Sequence, residues 1–470
     1  MPVESVFDMS ILVQGNVKRT LFRMAFPMLA GTVAMNAYNF ADTWFVAKLG
    51  TLPLAAMGFS FPVIMLLTFI AGGIGTGVTT LFSHAIGRHD QESAARLVTH
   101  GIVLTMIAAG LMSIAGYMSV TTVFTWLGAD AVTLPLIGDY MRTWYMGAVF
   151  MVLPMMGNGI LISVGDSKSA SLFMLLGPII NVILAPVMIF GFMRFPALGM
   201  FGAALATVLS QAVSTIWLFF LLGKKHRLLG INNWRTDDFF HSCRSILRFA
   251  IPSIFSMMLM PISSAVITGI LSRFGNEAVA ACGAAIRIES LAFIIPMALG
   301  MSMTPFISQN FGAGRLDRIR EAKTVSTGFA LIYGGFVTVV FFLGAPLLAT
   351  IFTEDPKVTE ILIAYVRTVS FGYGMMEVHR YCGFILTGMQ RPAAATVLNA
   401  LRILVFLIPL SYIGVHIWGI RGVFAGRLIT DLTVGSIGLV WISRVLRAAP
   451  DGGAASQGVL KAVPLASGDL

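Results

Sequence analysis

The sequence predicts an all-α polytopic membrane protein, with twelve transmembrane helices in two six-helix bundles related by a pseudo-twofold axis. Three observations predict it. Of 470 residues, 57% are hydrophobic and only 11% charged, and the mean hydropathy is +0.86, more than a soluble core of this size absorbs. The apolar segments run past the roughly 20 residues that one helical span needs, and they admit Gly and Pro as membrane helices do. They are solid runs, without the alternation of an outer-membrane barrel. Third, the second half of the chain repeats the first.

Taken in order, helices are expected at 20–46, 52–82, 96–124, 139–163, 169–193 and 199–223, then at 247–271, 279–309, 324–351, 360–386, 393–414 and 420–446. The longest polar interruption, from Lys224 to Ser245, separates the two sets of six. The expected layout is therefore a cytoplasmic N-terminal segment 1–17, an N-lobe 18–223, a cytoplasmic linker 224–246, a C-lobe 247–446 and a flexible tail 447–470.

The repeat is read directly. Pro27 and Pro252 stand 225 residues apart, and the same offset pairs Arg23 with Arg248, Gly50 with Gly275, Gly58 with Gly283, Gly75 with Gly300, Thr79 with Thr304 and Ser83 with Ser308. The offset becomes 223 for Gly165 with Gly388 and Pro186 with Pro409, then 220 for Gly199 with Gly419 and Gly202 with Gly422. Six spans per half is an even number, so both halves enter the membrane in the same direction.

Net charge is +10, but position matters more than sum. Basic residues cluster at Lys18, Arg19 and Arg23, at Lys224 to Arg227 with Arg235, Arg244 and Arg248, at Arg315 to Lys323, and at Arg444 with Arg447, in alternate loops. By the positive-inside rule those loops and both termini face the cytoplasm, which makes the basic excess a topology signal and argues against a nucleic-acid partner. No cleavable signal peptide is expected, because Glu4 and Asp8 precede a basic pair that leads straight into a full-length span. Cys243, Cys282 and Cys382 form neither a disulfide framework nor a metal spacing.

Matched positions are mostly Gly, Pro and small residues, which set backbone shape and helix contact. The acids do not match. Asp42 falls opposite Ile267, Glu289 opposite Ile64, Glu377 opposite Pro154 and Asp431 opposite Gln211. Asp431 has Arg427 four residues earlier, where an internal ion pair accounts for it. Glu377 has Arg380 and His379 nearby, so pairing and a role in substrate or proton handling both stand. Glu289 lies two residues from Arg287, too far round a helix to face it. Asp42 has no basic neighbour at helical spacing, and an acid at membrane depth must find water, an ion or a partner. Asn39 shares its face, and Asn36 and Tyr38 complete the polar stretch.

Polar Asn158, Asn181 and Thr207 are read either as interhelical hydrogen-bond glue or as ligands. The glycine-rich run from Gly72 to Gly77 lacks the Lys-Ser/Thr of a phosphate loop and sits inside a span. The 28 Met and 35 Phe suit lipid-facing surface, and Met suits adaptable apolar sites.

The run from Arg23 and Pro27 to Asp42 and Val46, followed by Gly50, Ala55, Ala56 and Gly58, resembles the first-helix signature of multidrug and toxic compound extrusion (MATE) transporters, of the bacterial DinF-like or NorM-like type in the MOP superfamily. Gly283 through Arg287 to Ser290, Gln309 to Gly314, Gly165 to Lys168, Asn181 to Pro186 and Gly202 to Thr207 are similar to further motifs of that family. The match covers about residues 15–446.

The resemblance implies a secondary antiporter, not an enzyme, in the inner membrane of a bacterium, its two lobes forming a V-shaped cavity that opens to alternate sides. It would act as a monomer without a cofactor or resident metal, exporting cationic or amphipathic compounds in exchange for H+ or Na+. Asp42 would take the coupling cation, helped by Asn158, Asn181 and Thr207, with Asn39 beside it. Glu289, Glu377, Asn36, Tyr38 and Arg287 are candidates for substrate or a second proton, and Pro27 for a hinge. Many members carry Asp where this chain has Ala185; a single carboxylate suits a proton better than Na+. One rival is a MOP-type flippase for lipids or lipid-linked sugars, which needs basic residues such as Arg367, Arg402 and Arg427 free to meet phosphate. Another is a membrane-embedded enzyme, disfavoured by the lack of a His-Glu-x-x-His motif.

Overall fold

The computed structural model describes residues 12–193, 196–229 and 236–448, and they are almost entirely helical. The first half comprises α1 (Val17–Ala47), α2 (Thr51–Gly87), α3 (Gln91–Trp126), α4 (Thr133–Met146), α5 (Ala148–Ser163), α6 (Ser167–Phe190) and α7 (Gly199–Phe220), the last running into a π-helical turn, Leu221–Lys225. The second comprises α8 (Thr236–Leu271), α9 (Asn276–Ala292), α10 (Ile294–Gly312), α11 (Leu316–Phe352), α12 (Pro356–Val369) and α13 (Tyr373–Gly388). It ends with α14 (Pro392–Ala400), α15 (Ile408–Trp418) and α16 (Ile420–Ala448).

These segments make twelve membrane passages. Among the described residues eight helices are long and apolar enough to cross a membrane, and two bent pairs, α4 with α5 at 54° and α9 with α10 at 58°, bring the number to ten. The other two are α1 and the α12–α13 pair, whose interiors carry Asp42 and Arg367, Glu377 and Arg380. Large apolar side chains stand exposed along the spans, as at Phe26, Met118, Leu343 and Ile332, a surface that lipid covers and water would not.

The breaks have local causes. Pro296 has no N–H for the carbonyl of Ala292 four residues earlier, and that carbonyl accepts the Tyr333 hydroxyl instead, at 2.7 Å; the chain turns at Phe293 between them. Gly147, between α4 and α5, sits where any Cβ would strike Val208. Phe293 and Gly147 adopt nearly the same backbone angles, φ −93° with ψ 0° and φ −94° with ψ 3°.

The chain divides into two compact units, Arg23–Ile254 on one hand and Leu12–Phe22 with the chain from Phe255 on the other. The expected lobes, 18–223 and 247–446, differ from this at both ends. Arg318 explains the first difference. Expected as a loop charge, it is buried, and its guanidinium donates to the carbonyls of Leu12, Gln14 and Gly15 and to Asn310 Oδ1, which holds the start of the chain in the second unit. Close packing explains the other: Gly77 and Gly73, four apart on α2, meet Ile246, Ala250 and Ile254 of α8. The glycine-rich run thus serves helix contact. The expected linker 224–246 is also shorter than read, since α8 begins at Thr236 with Asp237 and Asp238 in its first turn, where acids favour a helix N-terminus. Segments 1–11 and 449–470, and residues 230–235 of the linker, lie outside the described residues, as do Glu4 and Asp8.

Candidate functional site: a solitary acid and a paired one

In the first unit α1 carries Pro27 without breaking. Ser171 of α6 donates to the Pro27 carbonyl at 2.5 Å, and a Cβ at Gly31 would lie 2.8 Å from Met174, so α1 and α6 are held close over one helical turn. Three turns beyond Gly31, Asp42 is 5% exposed. Its Oδ1 is buried without a hydrogen-bond partner among the described residues. Around it stand Tyr38, one turn back on the same helix, and Tyr140 of α4, both near enough to feel its charge. Tyr38 comes within side-chain reach of Thr207 of α7, and Thr207 accepts from Asn181 Nδ2 of α6 at 3.1 Å. Asn181 Oδ1 is a second buried oxygen with no hydrogen-bond partner among the described residues.

The structure therefore brings Asp42, Tyr38, Asn181 and Thr207 together and adds Tyr140, which the sequence did not single out. Asn158 is partly buried on α5 with its Oδ1 unpartnered, and among the described residues no hydrogen bond ties it to the others. Asn39 and Asn36 differ from expectation. Both are exposed, and Asn36 donates to its own helix at Thr32. At 3.6 residues per turn Tyr38 lies about 40° from Asp42 and Asn39 about 60° to the other side. That difference takes Asn39 off the buried face. Ala185, one turn beyond Asn181, is fully buried among apolar side chains and contributes no oxygen.

The second unit treats its acids in the opposite way. Glu289 of α9 is paired with Arg427 of α16 at 2.9 Å, and its other oxygen accepts from Tyr365 at 2.8 Å and Tyr373 at 3.1 Å. Arg427 also donates to the Tyr365 hydroxyl. Asp431 takes Arg402 as its close partner, at 2.8 Å, while Arg427 stands 3.8 Å off; the expected pair on one helix is the weaker contact. Arg402 reaches Asp431 from a π-helical stretch, Leu401–Leu407, whose wider turn redirects its side chains. Glu377 has Arg380 at 3.1 Å, and neither of its oxygens is in hydrogen-bond geometry. Arg287 is exposed on α9, and Arg367 donates to the Phe342 carbonyl. Buried pairs of this kind return less than they cost in desolvation, while an acid without a partner costs more still.

Outside the membrane-spanning segments, Asp166 caps α6 and binds Lys225 at 2.6 Å and His226 at 3.1 Å. Burial alone would raise its pKa, but hydrogen bonds from His226, Lys225 and Ser169 outweigh it and hold the carboxyl well below the usual range.

The MatE family model matches residues 27–187 and 252–413. A FAD transporter of Shewanella oneidensis is 36% identical over 424 residues, 90% of this chain and 94% of the relative. The multidrug export protein MepA of Staphylococcus aureus is 25% identical over 423 residues, 88% of this chain and 91% of its own length. Among solved structures, a mutant of the Vibrio cholerae MATE transporter VcmN has a TM-score of 0.88 at 26% identity, covering 94% of this chain and 99% of that one.

Proposed function

The chain belongs to the MatE family of membrane transporters, and from that premise we propose that it is a proton-coupled exporter in which Asp42 is the coupling carboxylate. The observation that carries the proposal is the contrast between acids. Glu289, Glu377 and Asp431 each have an arginine within 3.1 Å, whereas among the described residues no ion pair reaches Asp42, whose Oδ1 is buried without a hydrogen-bond partner. A carboxylate in that setting is relieved by one positive charge, and a proton is the ion that one carboxylate can hold without further anionic ligands. Protonation removes the buried charge and lets α1 repack against α6, with Pro27 as the point of flexure. The basic residues at the helix ends support an inner-membrane orientation with cytoplasmic termini.

For the substrate we adopt an anionic, aromatic amphipath of the FAD class. Support comes from the 36% identical relative that bears that name, and from the pairing of three of the four membrane acids, which leaves little negative charge to hold a cationic drug. Cationic or amphipathic drugs are the second reading, favoured by the similarity to MepA. Arg402 and Arg427 are engaged by acids and Arg367 by a backbone carbonyl, so recognition of a phosphate, whether of FAD or of a flipped lipid, falls to other groups.

The test is transport by purified protein in proteoliposomes under an imposed pH or Na+ gradient, with FAD and a cationic dye as alternative substrates. The pH gradient should drive FAD movement and Asp42→Asn should abolish it. Undiminished coupled transport by Asp42→Asn, or transport driven by Na+ alone, would overturn the proposal.

A further inference from the structure

The repeat extends to contacts that the sequence could not reveal. Gly199 and Gly419, 220 apart, both adopt positive φ, at 54° and 60°. Three residues later Gly202 and Gly422 each press against a carbonyl of the preceding helix, Met188 and Gly414. Arg142 lies over the Tyr117 ring in one unit as Arg367 lies over Phe342 in the other, with both members of the pair displaced by 225. Ser83 bonds Ser163 as Ser308 bonds the Gly388 carbonyl, again at 225.

In this internal frame Tyr140 corresponds to Tyr365 at 225, and Thr207 to Arg427 at 220. The two acids come from different helices, Asp42 from α1 and Glu289 from α9. Yet each is near that tyrosine, Asp42 within electrostatic range of Tyr140 and Glu289 accepting directly from the Tyr365 hydroxyl, and Glu289 is also ion-paired with the residue at the 207/427 position. What differs is the third member, a neutral hydroxyl in one unit and a guanidinium in the other. We infer that the Glu289 cluster is a second copy of the cation site, with the Arg427 guanidinium permanently occupying the place where the first unit takes its exchangeable ion. Glu289 thus binds a single positive charge that is covalently tethered, and one unit carries the exchangeable charge while the other is internally neutralised. The correspondence rests on the repeat offsets and on the contacts that Glu289 makes with Tyr365 and Arg427; the word exchangeable rests on the role proposed above for Asp42.

The inference makes Arg427 the residue that silences a latent proton site. Replacing it with the side chain found at the equivalent position, Arg427→Thr, leaves Glu289 and Tyr365 in the arrangement of Asp42 and Tyr140. A hydrophobic carbodiimide, which adds to protonated carboxyl groups in apolar surroundings, reads this without transport. Peptide mass spectrometry should find Glu289 unmodified in the wild type and in Arg427→Lys, and modified in Arg427→Thr and Arg427→Met at least tenfold more. Arg427→Thr and Arg427→Met proteins that both run monodisperse and still leave Glu289 unmodified would overturn the inference, as would modification of Glu289 in the wild type. Labelling of Asp42 in the same samples reports separately on the coupling proposal, so the two can fail independently.

Discussion

At the scale of single residues, the account turns on what surrounds a carboxylate. Ala185 offers a direct probe. An Asp introduced there would stand one helical turn from Asn181 and give the site a second anionic oxygen pair, so Ala185→Asp should add Na+-driven transport to the pH-driven transport proposed for the wild type. Measured transport under a Na+ gradient alone checks this, and its absence in a folded variant would say that the site lacks room for the ion. Asp42 was legible in the sequence because no basic residue lay at helical spacing from it, an argument that needs only the 3.6-residue period. Tyr140 was not legible. It comes from another helix, and nothing local marks a buried tyrosine as a neighbour of a distant acid. Asn39 falls on the exposed side of α1, because residues three and four positions before Asp42 stand to opposite sides of it.

At the scale of elements, close approach and capping govern what can move. A methyl group at Gly31 would meet Met174 at 2.8 Å, so Gly31→Ala should destabilise the protein by about 1–3 kcal/mol as an overpacked contact does. Met174→Ala in the same chain should recover only part of the loss, because it removes the Sδ and Cε contacts but keeps the Cβ that also lies 2.8 Å away, as read by thermal unfolding in detergent. The cap of α6 gives a pH prediction. Because the Asp166 carboxyl is held below its ordinary value, its contribution to stability is fully present above about pH 4 and is lost as pH falls through the depressed value. Asp166→Asn should therefore melt below the wild type at pH 6, and the gap between the two should narrow as pH drops below about 4. Helix existence was legible from hydropathy alone, whereas the bends were not. Phe293 is no helix breaker; its turn is set by Pro296 and by a hydroxyl from α11, and only the first of these is local.

At the scale of the whole molecule, duplication supplied the scaffold and left the charges to diverge. The repeat of Gly, Pro and small residues was visible from the sequence and extends into matching contacts inside each unit. Charge pairing was less visible, since Arg427 reaches a glutamate 138 residues away in sequence rather than the aspartate one turn from it. Pairing predicts stability costs. Arg402→Met leaves Asp431, which is fully buried, without its close partner and should lower unfolding free energy by roughly 3–5 kcal/mol. Adding Asp431→Leu should restore much of it, in a thermal or denaturant melt of both variants.

The central claim is that among the membrane acids Asp42 is the one that exchanges a proton when substrate binds. Proton release on adding substrate to the purified, weakly buffered protein, followed with a pH indicator, tests it most directly. The account predicts release by the wild type and by Glu289→Gln, and none by Asp42→Asn that still binds substrate. Equal release from the Asp42→Asn protein would contradict it.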